Sequence, residues 1–289
     1  MQVGVIGCGN MGGGMLRQLL KEGLTPLCFD PNAKVLEQMG RAGATPMPSA
    51  AALAKAAQVI LLSLPKAEVV EAVMEGIVQD VQPGAIVLDT STSVPATSQK
   101  LAAQASARGF HFVDGPVSGG PAAANAGTMT MLLGGMEAPI AQLRPILDIL
   151  TAKTVWVGGS GAGHAAKIAN NMLCAANLVL VSEAVKLGEA AGVRAADLLE
   201  GINAGSGRSG VSEVNFPKWI LNGSFDSGFT MGLMRKDVGL ALDLAEATGV
   251  QVPGFAGVAD IWTNQSRNVP DEGDFNEIVT YVERGQGDV

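Results

Sequence analysis

The sequence predicts an α/β protein in two parts, a doubly wound parallel sheet and then an all-α half that one long helix joins to it. Three observations carry this. Up to about residue 158, short β-branched runs alternate with helical patterns, and repeated strand–helix alternation builds a parallel sheet with right-handed crossovers. From Gly163 to Gly192 an apolar, alanine-rich stretch runs without proline and reads as one helix. Beyond it no segment has strand patterning, and helical segments are expected near 195–203, 211–221, 231–248, 254–264 and 274–284. The division falls at residues 1–160 and 161–289.

Taken in order, strand 3–6 leads straight into Gly7-Cys8-Gly9-Asn10-Met11-Gly12, with a helix after it. In this Gly-x-Gly-x-x-Gly pattern the first glycine permits a tight turn. The second lets a pyrophosphate approach the backbone, and the third lets helix and strand pack closely. The helix N-terminus then faces the phosphates. Strand 26–29 ends in Asp30, 18 residues past Gly12, where an acid is expected to hold the adenosine ribose hydroxyls. A carboxylate there repels a 2′-phosphate, so the expected cofactor is NAD rather than NADP. This is the pattern of a Rossmann dinucleotide-binding domain.

Strands 59–64 and 85–88 follow. Ligands of open α/β sheets bind beyond the carboxyl ends of the strands, so Leu64, Pro65 and Thr92 are candidate cofactor contacts by position. After strand 111–113 comes Asp114-Gly115-Pro116-Val117-Ser118-Gly119-Gly120, where Ser118 and the Gly119 and Gly120 amides could cradle an anion. Strands 128–133 and 154–157 complete the sheet. The long helix then places Lys167 and Asn171 four residues apart on one face, within reach of one substrate.

Composition sets the outer limits. With 47% hydrophobic and 16% charged residues, the 289-residue chain can build a substantial core. A net charge of −8 argues against a nucleic-acid partner. Cys8, Cys28 and Cys174 lack metal-ligand spacing, as do His111 and His164, so no metal is expected; buried free thiols suit a reducing compartment. The chain enters its first strand at once, and no apolar run of about 18 residues lacks glycine or charge. A cytoplasmic protein without leader or membrane span is expected. The all-helical half has more apolar face than it can bury alone, so subunit contacts, as a homodimer or homotetramer, are expected there.

Four motifs in order, Gly7–Gly12 with Met11, Asp114 to Gly120, Gly161-x-Gly163-x-x-x-Lys167-x-x-x-Asn171, and Lys236-Asp237, give the chain its resemblance to the β-hydroxyacid dehydrogenase family. The resemblance covers nearly the whole chain. It implies NAD-dependent interconversion of a short β-hydroxy acid and its semialdehyde. Carried over by position, Lys167 matches the family's catalytic lysine and Asn171 its substrate-orienting asparagine. Ser118, Gly119 and Gly120 match the loop that holds the substrate carboxylate, and Lys236 a lysine near the cofactor. Ala123 departs from the glycine found in many members. The island Gly205-Ser206-Gly207-Arg208-Ser209 resembles members acting on longer or doubly anionic substrates, which offers Arg208 as a contact for a second anionic group.

With no metal constellation, a lysine is left to handle the hydroxyl proton. Burial beside a cationic nicotinamide is expected to lower its proton affinity. Two other readings compete. An imine reductase shares the architecture with a different residue at the lysine position, and a non-catalytic cofactor-binding oligomerisation module would have lost the lysine altogether.

Overall fold

The computed structural model describes residues 1–281, which form two compact units, Met1–Lys167 and Ile168 onward. In the first, strands β1 (Val3–Ile6), β2 (Leu27–Phe29), β3 (Thr45–Pro46), β4 (Val59–Leu62), β5 (Ile86–Asp89), β6 (His111–Asp114), β7 (Val117–Ser118), β8 (Met129–Gly134) and β9 (Thr151–Gly158) form one sheet. Their order is 3-2-1-4-5-6-8-7, with β9 on β8. The chain reverses direction across the sheet between β1 and β4, the switch point at which such sheets bind ligands.

Alternate residues explain the two helical layers. Val59 and Leu61 of β4 point into a core shared with Met15, Leu16 and Leu19 of α1 (Asn10–Lys21). That core also takes up Met39 of α2 (Ala33–Arg41), Ala124 of α6 (Gly120–Ala126), and Ile146 and Leu147 of α8 (Arg144–Leu150). Ile60 and Leu62 point the other way, onto α3 (Ala50–Ala56), α4 (Ala67–Ile77) and α5 (Pro95–Ser106). A strand buried on both faces has no polar side, hence the continuous Val-Ile-Leu-Leu run. The short α7 (Glu137–Gln142) precedes α8.

The sheet departs from the expected all-parallel form at one edge. Strand β8 pairs antiparallel with β6 and β7, while the remaining pairings are parallel. The stretch 117–118, read as loop, is the two-residue strand β7.

Helix α9 (Ala162–Ala190) leaves the first unit and supplies Ile168, Ala175, Leu178, Val179, Val181 and Val185 to the core of the second. That core is completed by α10 (Ala195–Ala204), α11 (Met231–Thr248) and α12 (Pro253–Asp260), with Trp262 fully buried. By length and hydropathy alone α9 is long and apolar enough to cross a membrane, and 44% of its most apolar stretch is buried in protein. Residues 211–220, expected as an ordinary helix, are wound as a π-helix around Pro217, which has no N–H to give. A second π-turn, Ile261–Gln265, follows α12. The last expected helix is a 3-10 helix, Phe275–Thr280, with a capping box at Asp274 and Glu277; residues 282–284 of that expectation lie outside the described residues.

Candidate functional site

The loop after β1 has the three properties its glycines imply. Gly7 sits at φ +88°, and a side chain there would strike the backbone carbonyl of Ser63, in the loop after β4. A methyl at Gly12 would overlap the Gly7 carbonyl, so α1 can pack this close to β1 only with glycine. A Cβ on Gly9 meets nothing within 4 Å, so the middle glycine borders open space, and Gly9 and Asn10 are exposed. No side chain caps the N-terminus of α1. An unblocked helix start beside an open glycine is what a pyrophosphate requires. Met11 is half-buried over the first core.

Asp30 ends β2 with both oxygens engaged. Its Oδ2 accepts from the Cys8 amide at 2.8 Å and its Oδ1 from the Asn32 amide at 2.8 Å. The carboxylate thus pins the glycine loop to the end of β2. Leu64 is half-buried and donates its amide to Ser91 Oγ at 3.0 Å, tying the loop after β4 to the loop after β5, where Thr92 lies half-buried. Pro65 is exposed beside Leu64. Cys8 and Cys28 are buried free thiols; Cys174 is half-buried.

Beyond β6, Gly119 adopts φ +119° and Gly120 φ +65°, turning the chain into α6. Ser118 Oγ accepts from Lys167 Nζ at 2.9 Å. Lys167 is only 7% exposed, so its amine is held at the Ser118 loop rather than in solvent. One turn on along α9, Asn171 is buried and belongs to the second unit. Its Nδ2 donates to Asp237 Oδ2 at 2.6 Å and its Oδ1 accepts from Asn170 at 3.0 Å. Lys236 Nζ stands 3.4 Å from the other oxygen of the buried Asp237. Arg208 is exposed, 3.6 Å from Glu213.

The ends of β5 and β6 carry buried groups that motif reading passed over. Asp89 is fully buried; burial pushes its carboxyl above the usual carboxylate range, against the opposing pull of His164 and of the Ser91 hydrogen bonds. Asp114 is equally buried and accepts from the Gly161 amide at 2.7 Å and the His164 amide at 3.2 Å. His164 is wholly enclosed. Asp237 was legible only as the neighbour of Lys236. No group of three or more potential metal ligands occurs among the described residues.

Comparison with known proteins decides the family. Residues 2–158 match the NAD binding domain of 6-phosphogluconate dehydrogenase, and residues 161–282 match a domain described as NAD-binding of NADP-dependent 3-hydroxyisobutyrate dehydrogenase. The 2-(hydroxymethyl)glutarate dehydrogenase of Eubacterium barkeri is 36% identical over 265 residues, 91% of this chain and 88% of its own. The chain belongs to the β-hydroxyacid dehydrogenase family. It is an NAD-dependent oxidoreductase of the class acting on hydroxyl groups. The structure of Mycobacterium tuberculosis 3-hydroxyisobutyrate dehydrogenase with L-serine superposes with a TM-score of 0.90 at 30% identity, covering 98% of this dehydrogenase and 99% of that chain. A Streptomyces aurantiacus imine reductase, at 21% identity, TM-score 0.64, and coverage of 98% and 99%, shares the fold alone.

Proposed function

We propose that the dehydrogenase interconverts a short β-hydroxy acid and its semialdehyde, with Lys167 as general acid and base. The observation that carries this is the 2.9 Å bond from Lys167 Nζ to Ser118 Oγ, which brings an enclosed amine to a glycine-flanked loop. The nicotinamide supplies hydride acceptance at its ring C4. The protein's own residues do the rest. The substrate carboxylate is held by Ser118 and the Gly119 and Gly120 amides, since glycine leaves those N–H groups open to an anion. In the oxidising direction the hydroxyl proton passes to the neutral Nζ of Lys167; in the reducing direction the ammonium returns it to the carbonyl oxygen. Asn171, its amide oriented by Asp237, keeps a second N–H for the substrate oxygen. Gly7, Gly9, Asn10, Met11 and Gly12 form the pyrophosphate loop, Asp30 takes the ribose hydroxyls, and Leu64, Pro65 and Thr92 line the nicotinamide end. Lys236 stands by the cofactor, and Arg208 meets the second charge of a dianionic substrate.

The domain roles follow: residues 1–160 bind NAD, and 161–289 bear on substrate choice and oligomerisation. The enzyme is proposed to be a cytoplasmic homodimer or homotetramer, in keeping with free cysteines and an exposed apolar row on α9.

Lys167→Ala is the primary test. Turnover is expected to be lost while NADH affinity, read by nucleotide fluorescence, stays within about threefold; activity retained within about tenfold would overturn the lysine's role. For the substrate, initial rates with 3-hydroxyisobutyrate, glycerate, 4-hydroxybutyrate and 2-(hydroxymethyl)glutarate are compared in the parent and Arg208→Ala. A dianion preference that vanishes with Arg208→Ala supports its role, and indifference removes it.

A further inference from the structure

We infer that His164 is a positioning residue for the reaction, locking the first turn of α9 to the loop after β5 and the start of α5 and so fixing where Lys167 stands. The inference rests on the reading of Lys167 above.

The side chain is fully buried in the first unit, among groups from the ends of β5 and β6, the loop after β5 and the first turns of α5. Its Nε2 lies 3.0 Å from the backbone carbonyl of Ser91. A carbonyl only accepts, so Nε2 carries a proton. Its Nδ1 meets Ser98 Oγ, on the first turns of α5, at 2.8 Å. The Asp89 carboxylate flanks Nε2 at 3.9 Å, and the Asp114 carboxylate holds the His164 and Gly161 amides from below. Space is tight there: a methyl on Gly163 would lie 2.8 Å from Asp114 Oδ2 and 3.0 Å from its backbone oxygen.

These bonds join into one path. Leu64, one of the proposed nicotinamide contacts, donates its amide to Ser91 Oγ; the Ser91 carbonyl accepts from His164; three residues on, Lys167 reaches Ser118. Three residues are 300° of helix, so His164 and Lys167 lie about 60° apart on neighbouring turns. Apolar packing resists separation of helix and sheet but resists rotation of the helix poorly. Directional bonds at Nε2 to the loop after β5 and at Nδ1 to helix α5 oppose rotation. General acid–base geometry tolerates only about 10–20° of such error, and a misplacement of about 1 Å lowers rates about a hundredfold.

The experiment compares His164→Leu, which keeps bulk without bonds, with His164→Gln, whose amide nitrogen can donate to Ser91 and whose oxygen can accept from Ser98. Each is measured for thermal midpoint, NADH affinity by fluorescence, and kcat and KM per NADH-binding site. His164→Leu is expected to lower kcat about 10- to 100-fold with KM and NADH affinity within about threefold, and His164→Gln to recover most of that loss. Should His164→Leu fail to fold, Ser98→Ala removes one of the bonds alone and is expected to lower kcat per site about threefold or more. Unchanged kcat per folded site in whichever of these variants folds, or a Gln variant no better than Leu, would overturn the inference. Lys167→Ala is run beside them. If it stays active, the lysine reading itself fails; if it is dead while His164→Leu retains full kcat per site, only the positioning role fails.

Discussion

Gly9, at the N-cap of α1, and Gly12, in its first turn, lie three residues apart, yet a methyl group would act on them in opposite ways. At Gly12 it would overlap the Gly7 carbonyl, and no flexible side chain is there to yield. Gly12→Ala should therefore destabilise the fold by about 1–3 kcal/mol through overpacking, seen as a lower urea midpoint. At Gly9 it meets open space, so Gly9→Ala should leave the midpoint unchanged and weaken NADH binding about tenfold or more, because the methyl occupies the phosphate's place. If both variants shift the same observable, the loop is not a phosphate cradle. Asp30 belongs to the same scale. If its charge is what excludes a 2′-phosphate, as proposed, Asp30→Asn should raise NADPH use relative to NADH, measured as a ratio of kcat/KM values; an unchanged ratio would assign the carboxylate solely to holding the Cys8 and Asn32 amides. Both glycines and the acid were legible in sequence because each acts on residues near it in the chain or at one fixed spacing. The Asp89, Asp114 and His164 cluster was not, since its members are as many as 75 positions apart; pairing of β5 with β6 sets the two acids side by side, and the packing of the start of α9 adds His164.

At the scale of elements, the misread parts share a cause. A strand's alternation reads the same in both directions, so nothing in residues 129–134 reveals that β8 runs against β6. Strands β3 and β7 are two residues each, too short to show a period. Pro217 reads as a helix breaker or a kink, and only the packed fold selects a π-turn around it. The long α9 was legible because its length and proline-free composition are local facts. Its entry packs against the buried acid pair at the ends of β5 and β6, and this has a pH signature. Burial raises the Asp89 carboxyl above its ordinary range. A group that binds its proton more tightly folded than unfolded favours the fold at low pH, and the contribution is lost as pH climbs from the ordinary carboxylate range through the raised one. Asp89→Asn, neutral at every pH, should raise the thermal midpoint relative to the parent more at pH 8 than at pH 4. Equal increments at the two pH values would mean that Asp89 titrates alike in both states.

The whole molecule poses a question that neither unit answers alone. Leu173, Leu180 and Leu187 stand 61%, 54% and 74% exposed on α9, and their spacing of seven residues drifts only about 20° per step around a helix. They form one row about 21 Å long. Isolated exposed leucines need no explanation, but an aligned row on the helix that forms the spine of the second core resembles the seam of a helix pair. The proposed oligomer would cover this row with the same row of a second copy, an isologous contact in which Leu180, at the middle, lies nearest the symmetry axis. Leucine and lysine have nearly equal helix propensity, so Leu180→Lys should leave the monomer fold intact while setting two charges against each other across the seam. Light scattering should give the parent a mass that is a multiple of 29.4 kDa and the variant a smaller one, with the thermal midpoint of the variant then depending less on protein concentration. A parent that is monomeric at micromolar concentration would remove the oligomer. An oligomer unaffected by Leu180→Lys would move the interface to another face of the helical unit.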